Sequence, residues 1–556
     1  MDVPEESRER ALAAATLADE RDALLADVPD PPPPRGLGHA GIIAFLGAIQ
    51  ALTLAAGFAR WKVVALLLGP SGMGLVSVID QVAQVVLQLG SLSLPTAALR
   101  YLSIARAERP ATFGGLHRTL VRLILAVSAL VASMALAAYL VRPSLLGRGL
   151  AGLTIALIFA LAAVPHTAAA NLLRNTLSTL ERYRSAAVFG FWSGVALALA
   201  TFVGIRVGGV SGLYVGSWVA AVGTHVLLHL YLSRQPLVRG AGGPGGLRTL
   251  MAEHPDVLRF SMTIYMVSFT TPLSYGIARF AVLENMGAKQ VGYLAAAFTL
   301  AGGVRGVLSQ ATAQLLLPLV SRPGPVEARA AMTASYVRTL SLLILAIVLP
   351  VVLFPHELLL VLFSRQFVAA VTFLFLFVLA EVVLAMGDAY RVLLTGVGDM
   401  RGYLVTTLSA TLVLMAAAPL AVPRFGIAGV GAAHLTAASV ALMSSFYRLR
   451  TRHQVDLGRR ALAALAFCLA ALVAGGLLGR AFASPGAAVW ALKIGFYVLT
   501  GAASLALLSA AERAAIRPRL RRVLESLPRR SRPQPAGVSG DAPDRPLDPP
   551  ASGDSR

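Results

Sequence analysis

Residues 368–394 read VAAVTFLFLFVLAEVVLAMGDAYRVLL, an apolar run whose only charged residues are Glu381, Asp388 and Arg391. A helix of about 20 predominantly apolar residues is long enough to cross the hydrocarbon core of a bilayer. The apolar residues are continuous, whereas the strand of a membrane barrel would alternate between apolar and polar residues. The stretch therefore predicts a membrane-spanning helix.

Similar runs recur through most of the chain. The 556 residues are 56% hydrophobic and only 13% charged, with a mean hydropathy of +0.72, whereas a soluble domain carries about 25% charged residues. We therefore predict an all-α polytopic membrane protein with about fourteen transmembrane helices. The predicted spans are 41–68, 73–99, 118–141, 150–173, 186–206, 210–232, 257–283, 290–317, 333–355, 368–394, 402–422, 427–447, 461–482 and 487–510.

The two ends of the chain differ from the spans in composition. Residues 1–38 are acidic and Pro-rich, so we expect a disordered cytoplasmic tail. In residues 512–556, the basic segment Arg513–Arg522 is expected to lie on anionic lipid headgroups, and the rest to be disordered. The single cysteine, Cys468, excludes a disulfide framework and a cysteine metal site.

The net charge of +21 has a distribution that argues against nucleic-acid binding. Fourteen spans place both termini on one side, and the loops predicted on that side carry 22 arginines against seven Lys/Arg in the other loops. Short loops rich in Lys and Arg stay in the cytoplasm. Both termini are therefore predicted to be cytoplasmic.

Reporter fusions test this topology. Fusions to the first and last residues are expected to give cytoplasmic signals, because the arginine excess lies in the loops on the side of the termini. A fusion after Arg424, in a loop predicted to be external, is the matched control and should give a periplasmic signal. A periplasmic signal from either terminus would contradict the topology.

An internal repeat links two parts of the chain. Gly69–Gly74 (GPSGMG) aligns with Gly287–Gly292 (GAKQVG) at an offset of 218 residues, and Gly209–Gly212 aligns with Gly426–Gly429 at an offset of 217. The alternative is that external turns of any membrane protein are rich in glycine. The repeat predicts two six-helix lobes in parallel orientation around a central cavity, which is the usual place for a transported substrate. The predicted lobes are 39–235 and 257–450, joined by a linker, 236–256, and followed by two further helices in 451–511.

Charges deep within spans are costly and are commonly functional. The basic candidates are Arg60, Arg279 and Arg305. One interpretation is a cationic cavity that binds a diphosphate, since the guanidinium fork suits phosphate oxygens. The alternatives are extension toward the membrane interface or pairing with a buried acid.

Acidic and amide side chains within the spans are candidates for ion coupling or for a polar network. Asp80, Gln84 and Gln88 recur at every fourth residue and form one stripe. Glu381 and Asp388 share a face of their span, and Asp388 can pair with Arg391 three residues later. The alternative role is contact between helices without transport function.

The sequence favours neither a metal site nor an ATP site. His225 and His229 have a spacing that suits a metal, but without a third ligand we interpret them as packing residues. None of the three lysines follows a phosphate-binding glycine loop, so a P-loop ATPase is excluded and no cofactor is predicted. Transport would be driven by an ion gradient, the membrane potential or substrate flux. The predicted external turns are short, which argues against a membrane glycosyltransferase or polymerase.

Several segments between residues 40 and 450 resemble motifs of one family. They are Leu66–Val76 (LLLGPSGMGLV), Val291–Ala297 (VGYLAAA), Leu317–Arg322 (LPLVSR), Thr395–Arg401 (TGVGDMR) and Phe425–Gly431 (FGIAGVG). In this order and spacing they resemble bacterial polysaccharide-biosynthesis membrane proteins. These are oligosaccharide-lipid flippases of the multidrug/oligosaccharidyl-lipid/polysaccharide (MOP) exporter superfamily.

The resemblance implies a non-enzymatic flippase of the bacterial cytoplasmic membrane. Its substrate would be a polyprenyl-diphosphate-linked oligosaccharide, moved by alternating access, with polysaccharide polymerase or assembly machinery as partners. A peptidoglycan lipid-precursor flippase and a multidrug/cation antiporter of the same superfamily stay open as alternatives. The family often has an acid before its second-lobe turn, but this chain has Ala278 and Arg279 there. A cation-coupling role for that acid is therefore not implied here.

Overall fold

The structure is a computed structural model that describes residues 39–108, 110–142, 152–239, 256–320, 325–455, 458–482, 486–506 and 508. Within these residues the regular structure is helical and contains no strand. The predicted tails, 1–38 and 512–556, lie outside the described residues, as does most of the predicted linker.

Fifteen α-helices are numbered here in chain order. They are α1 His39–Ser91, α2 Leu94–Glu108, α3 Pro110–Val141, α4 Thr154–Thr179, α5 Tyr183–Ser233, α6 Pro236–Arg239, α7 Asp256–Met286, α8 Ala288–Ala311, α9 Leu317–Val320, α10 Val326–Leu353, α11 Pro355–Leu362, α12 Val371–Gly396, α13 Met400–His453, α14 Arg459–Ala481 and α15 Ala487–Ala506. We call α1–α6 the first half and α7–α13 the second half. The last two helices pack on α10.

Ten helical segments of the described chain are long and apolar enough to cross a membrane. Three helices, α1, α5 and α13, contain 51 to 54 residues, far more than one crossing needs. Each is interrupted by glycines with non-helical dihedral angles, at Gly69, at Gly208 and Gly209, and at Gly426. The prediction of an all-α polytopic membrane protein is confirmed, and the count of fourteen stays a prediction.

The glycines paired by the sequence repeat have matching backbone conformations. Gly69 (φ 64°, ψ −171°) matches Gly287 (φ 84°, ψ 173°), and Gly209 (φ 58°, ψ −137°) matches Gly426 (φ 58°, ψ −141°). These dihedral angles belong to a region that is nearly restricted to glycine. The paired turns therefore share a backbone conformation as well as a glycine-rich composition. This supports the predicted division into two lobes.

The two repeated turns also contact each other reciprocally. A Cβ added at Gly74 would lie 1.9 Å from the carbonyl oxygen of Ala288, and one added at Gly292 would lie 1.9 Å from that of Pro70. Ala288 and Gly292 are the residues that the repeat pairs with Pro70 and Gly74. The backbones of α1 and α8 therefore touch at a local two-fold, where the first half meets the second.

Replacing Gly74 with alanine is expected to destabilise the protein. The new methyl group would collide with backbone, which no side-chain rotation can relieve, and overpacking of this kind costs about 1–3 kcal/mol. The measurement is thermal unfolding in detergent. Gly57→Ala on the same helix is the matched control, because a Cβ there meets nothing within 4 Å. Equal midpoints for the two variants would contradict the prediction.

The TGVGDMR segment forms the turn between α12 and α13. Asp399 caps α13 by accepting a hydrogen bond from the Gly402 amide at 2.9 Å. Its carboxylate also accepts hydrogen bonds from Arg448 at 2.6 and 2.9 Å, and lies 3.1 Å from His453 Nε2. The Arg448 guanidinium holds the pKa of Asp399 well below its usual range. The segment thus ties the start of α13 to its last turns.

Candidate functional site

The first half encloses a cavity of about 460 Å³ between α1, α4 and α5, a volume in the range of small-molecule sites. Its polar lining includes Arg60, Asp80, Gln84, Asn171, Arg174 and Tyr214. Three of the residues predicted from sequence, Arg60, Asp80 and Gln84, therefore come together here. Gln88, one turn further along α1, is half-buried and is not part of this lining.

Arg60 is paired within the cavity wall. Its Nη1 lies 3.0 Å from Asp80 Oδ2, and its Nε donates to Thr201 Oγ1 at 3.3 Å. Tyr214 donates its hydroxyl to Asp80 Oδ1 at 2.8 Å. The reversal of the chain at Gly69 brings Arg60 and Asp80 together from the two segments of α1. The charge on Arg60 is therefore compensated by Asp80.

Arg174 adds a second guanidinium to the same cavity. Its Nη2 donates to the side-chain oxygen of Asn171, one turn earlier on α4. Within the described residues it has no carboxylate at ion-pair distance. Since Asp80 offsets Arg60, the charged residues that line the cavity leave one positive charge uncompensated.

Arg279 lies between the two halves. Its Nη1 donates to Gln81 Oε1 on α1 at 2.7 Å and to the Tyr275 carbonyl at 3.4 Å. Its guanidinium lies 4.9 Å from the centre of the Phe298 ring, a cation–π contact. The buried Nε has no hydrogen-bond partner, and no carboxylate of the described chain pairs with this arginine. Arg279 is thus a half-buried charge that has no carboxylate counter-charge among the described residues.

Arg305 is bound to the two predicted acids. Its guanidinium nitrogens lie 3.5 Å from Glu381 Oε2 and 3.5 Å from Asp388 Oδ2. Glu381, whose side chain is 4% exposed, also lies 3.1 Å from His434 Nε2 and accepts from the Tyr275 hydroxyl at 3.4 Å. Of the three interpretations of Arg305 drawn from sequence, the contacts match pairing with acids, of which Glu381 is buried and Asp388 half-buried.

Asp388 completes this network in the second half. It pairs with Arg391 three residues later, as the spacing predicts, and it accepts from Ser309 Oγ at 3.3 Å. Glu381 and Asp388 do share one face of α12, and both point toward α8. The network balances two acids with two arginines, Arg305 and Arg391.

Of the three candidate arginines, Arg60 alone lines the cavity of the first half. The cavity that contains Arg60 is lined by neither Arg279 nor Arg305, so the predicted central cavity stays a prediction. The sequence reasoning missed Gln81, Tyr214, Tyr275 and His434. Each is a polar residue in an apolar span, and Gln81 directly follows Asp80, so attention to uncharged polar residues could have found them.

The two histidines of α5, His225 and His229, lie near a third histidine, His166 of α4, which the sequence alone did not link to them. His225 Nδ1 lies 3.1 Å from His166 Nδ1, and the rings of His225 and His229 are centred 6.4 Å apart. Across the described chain, no group of three or more His, Cys, Asp or Glu residues is arranged to hold a metal ion.

The fold resembles solved structures of membrane transporters. The lipid II flippase MurJ in an inward closed conformation aligns with a TM-score of 0.64 at 10% identity, over 86% of this chain and 100% of that one. The MATE multidrug transporter DinF-BH aligns with a TM-score of 0.53 at 14% identity, over 77% and 99%. An inward-facing multidrug resistance MATE family transporter of the MOP superfamily aligns with a TM-score of 0.50 at 15% identity, over 75% and 99%.

Neither a protein-family model nor a curated protein sequence matches the chain. The structural likeness therefore rests on architecture, and it extends over nearly the whole length of each of these transporters. None of the three is an enzyme by its description. The chain has the fold of the MOP-superfamily flippases and transporters.

Proposed function

We propose that this protein is a flippase that moves a polyprenyl-diphosphate-linked oligosaccharide across the bacterial cytoplasmic membrane by alternating access. The transporter fold and the motif resemblance support the class of protein. The proposed partners are the lipid-linked substrate and the polysaccharide polymerase or assembly machinery that would use it. Neither a nucleotide nor a metal cofactor is part of the proposal.

The observation that carries the proposal is the guanidinium of Arg279, which has no carboxylate partner among the described residues. Around it, Asp80 is paired with Arg60, and Glu381 and Asp388 are paired with Arg305 and Arg391. Arg279 is therefore the surplus positive charge where the two halves meet. A charge within a membrane span is costly without a partner, and a diphosphate would supply that partner through bidentate hydrogen bonds.

The sign of this surplus argues against the antiporter alternative. A site for cationic drugs would need an excess of carboxylates, whereas each acid of the two networks already has an arginine partner. The excess of positive charge in the first-half cavity, from Arg174, has the same sign. An anionic substrate would complement the positive charge at Arg279 and the positive charge in the first-half cavity.

The contact between Gly74 and Gly292 supports an alternating-access mechanism. It holds the two halves together at the ends predicted to be periplasmic, backbone against backbone. The contact is reciprocal, because each half contributes a glycine that packs against the backbone of the other half. Such a contact could close the periplasmic end in one state and open in another. We propose that these turns separate when the substrate leaves on the periplasmic side.

A lipid II flippase is the second candidate, since MurJ aligns over its whole length and a diphosphate would suit Arg279 equally. Complementation of two bacterial strains separates the candidates. One strain lacks its oligosaccharide-lipid flippase and is scored by surface glycan, and the other is depleted of its lipid II flippase and is scored by growth. We expect rescue of the first strain alone, and rescue of the second strain alone would overturn the proposal.

A further inference from the structure

A second pocket lies at the end of the first half that is predicted to be cytoplasmic. It has a volume of about 430 Å³ and is formed by the start of α3, the end of α5 and the short helix α6. We call it the basic pocket, after its charged and titratable lining residues His117, Arg118, Arg122, His229 and Arg239. It shares no lining residue with the cavity that contains Arg60.

Among the described residues, nothing neutralises the positive charges of the basic pocket. Within the described residues, no carboxylate lines it and none of its three arginines forms an ion pair. Arg239 donates Nε to the Ser233 carbonyl at 3.0 Å, which fixes the stem of that side chain. Three guanidinium groups around one hollow repel one another unless an anion lies between them, so the pocket is suited to a phosphate group.

One histidine of the pocket, His117, is fixed by a contact with α4. His117 is 2% exposed, and its Nδ1 lies 3.3 Å from Thr176 Oγ1 on α4. This contact fixes the ring of His117 in the wall of the pocket. The basic pocket thus combines the exposed guanidinium groups of Arg118, Arg122 and Arg239 with a buried polar wall at His117.

The apolar surroundings indicate a lipid as the source of the phosphate. The floor of the pocket is formed by the buried side chains of Val121, Leu232 and Val238. Beside His229 on α5, the side chains of Leu227 and Leu230 are 60% and 51% exposed. In a membrane-spanning helix such exposed apolar side chains contact acyl chains, so a headgroup in the pocket would have its chains on an apolar surface.

We propose that the basic pocket binds the headgroup of an anionic phospholipid of the cytoplasmic leaflet. Basic pockets between transmembrane helices on the cytoplasmic side bind phosphate-bearing headgroups, and each Lys or Arg near the surface contributes about 1 kcal/mol of attraction. A phospholipid here would contact α6, where the predicted linker 236–256 begins. The lipid would therefore stabilise the place where the first half is joined to the second.

Binding of phosphatidylglycerol by the purified full-length protein in detergent micelles tests the proposal, with phosphatidylcholine as the zwitterionic comparison. The wild-type protein should bind phosphatidylglycerol in preference to phosphatidylcholine and should unfold at a higher temperature with it. The triple variant R118A/R122A/R239A should bind phosphatidylglycerol on the order of 100-fold more weakly. The matched control R450A/R452A/R460A removes the same charge from exposed sites of the second half and of α14, and should bind as the wild type does.

Equal binding of phosphatidylglycerol by the two triple variants would overturn the proposal. If the first variant does not fold, the single variants R118Q and R122Q, at exposed positions, provide the same comparison and should each bind several-fold more weakly. Inorganic phosphate in phosphatidylcholine micelles distinguishes a free anion from a lipid. Stabilisation by phosphate equal to that by phosphatidylglycerol would overturn the lipid assignment.

Discussion

Replacement of Arg279 by alanine is expected to abolish glycan export while leaving the protein folded and at its normal level in the membrane. Arg279 is half-buried, with its Nε atom buried, and has no carboxylate partner in the described chain, so removing the guanidinium removes a desolvation cost and breaks no ion pair. Charged hydrogen bonds to phosphate oxygens are worth about 1.5–3 kcal/mol each. The loss of two such bonds would slow transport about 100-fold or more.

Two variants accompany this experiment. Arg279→Lys should restore only part of the activity, because an ammonium group keeps the charge but cannot form the bidentate fork. Arg424→Ala removes an arginine from an exposed site of α13 and should export normally, since exposed charges contribute little. Surface glycan is scored in a flippase-deficient strain together with the amount of protein and its unfolding temperature. Full export by Arg279→Ala at a normal protein level would exclude the cationic mechanism, although the flippase assignment would still stand.

Much of the fold could be predicted because it depends on local properties of the chain. Apolar runs of about 20 residues predict the spans, since a bilayer of fixed thickness sets their length. The equivalence of Gly69 and Gly287 is predictable from the offset of their motifs, because a turn with their dihedral angles requires glycine and so leaves the same residue type at both positions. The pair Asp388–Arg391 was likewise predictable, because its spacing is fixed by the helix itself.

The candidate site could be predicted only in part, because its contacts join distant segments. Arg305 and Glu381 are 76 residues apart, and their meeting depends on how α8 and α12 are rotated and packed. The same is true of Arg279 and Gln81, which belong to different halves. The sequence shows which charged residues lie within the spans. It does not show whether such a residue has a partner of opposite charge. In the structure Arg305 has two carboxylate partners, whereas Arg279 has none among the described residues.

Replacement of Arg305 by methionine is expected to destabilise the protein, in contrast to the replacement of Arg279. It leaves Glu381 with His434 and Tyr275, but without the guanidinium that now lies 3.5 Å from its carboxylate. Glu381 is the buried member of this pair, and leaving a buried charge without its partner costs up to about 3–5 kcal/mol. We therefore expect a markedly lower unfolding temperature in detergent and less protein in the membrane, with loss of export as a consequence.

A double-mutant cycle with Glu381→Gln tests whether the loss comes from the pair. Glutamine keeps the size of the side chain and removes its charge, so Arg305→Met/Glu381→Gln should be more stable than Arg305→Met alone. The cycle needs no substrate, and its outcome is therefore independent of the proposed function. If Arg305→Met instead unfolds at the wild-type temperature and still fails to export, Arg305 acts on the substrate as Arg279 is proposed to do. In that case the ion pairs with Glu381 and Asp388 would serve to hold a binding residue in place, and the cationic site would extend into the second half.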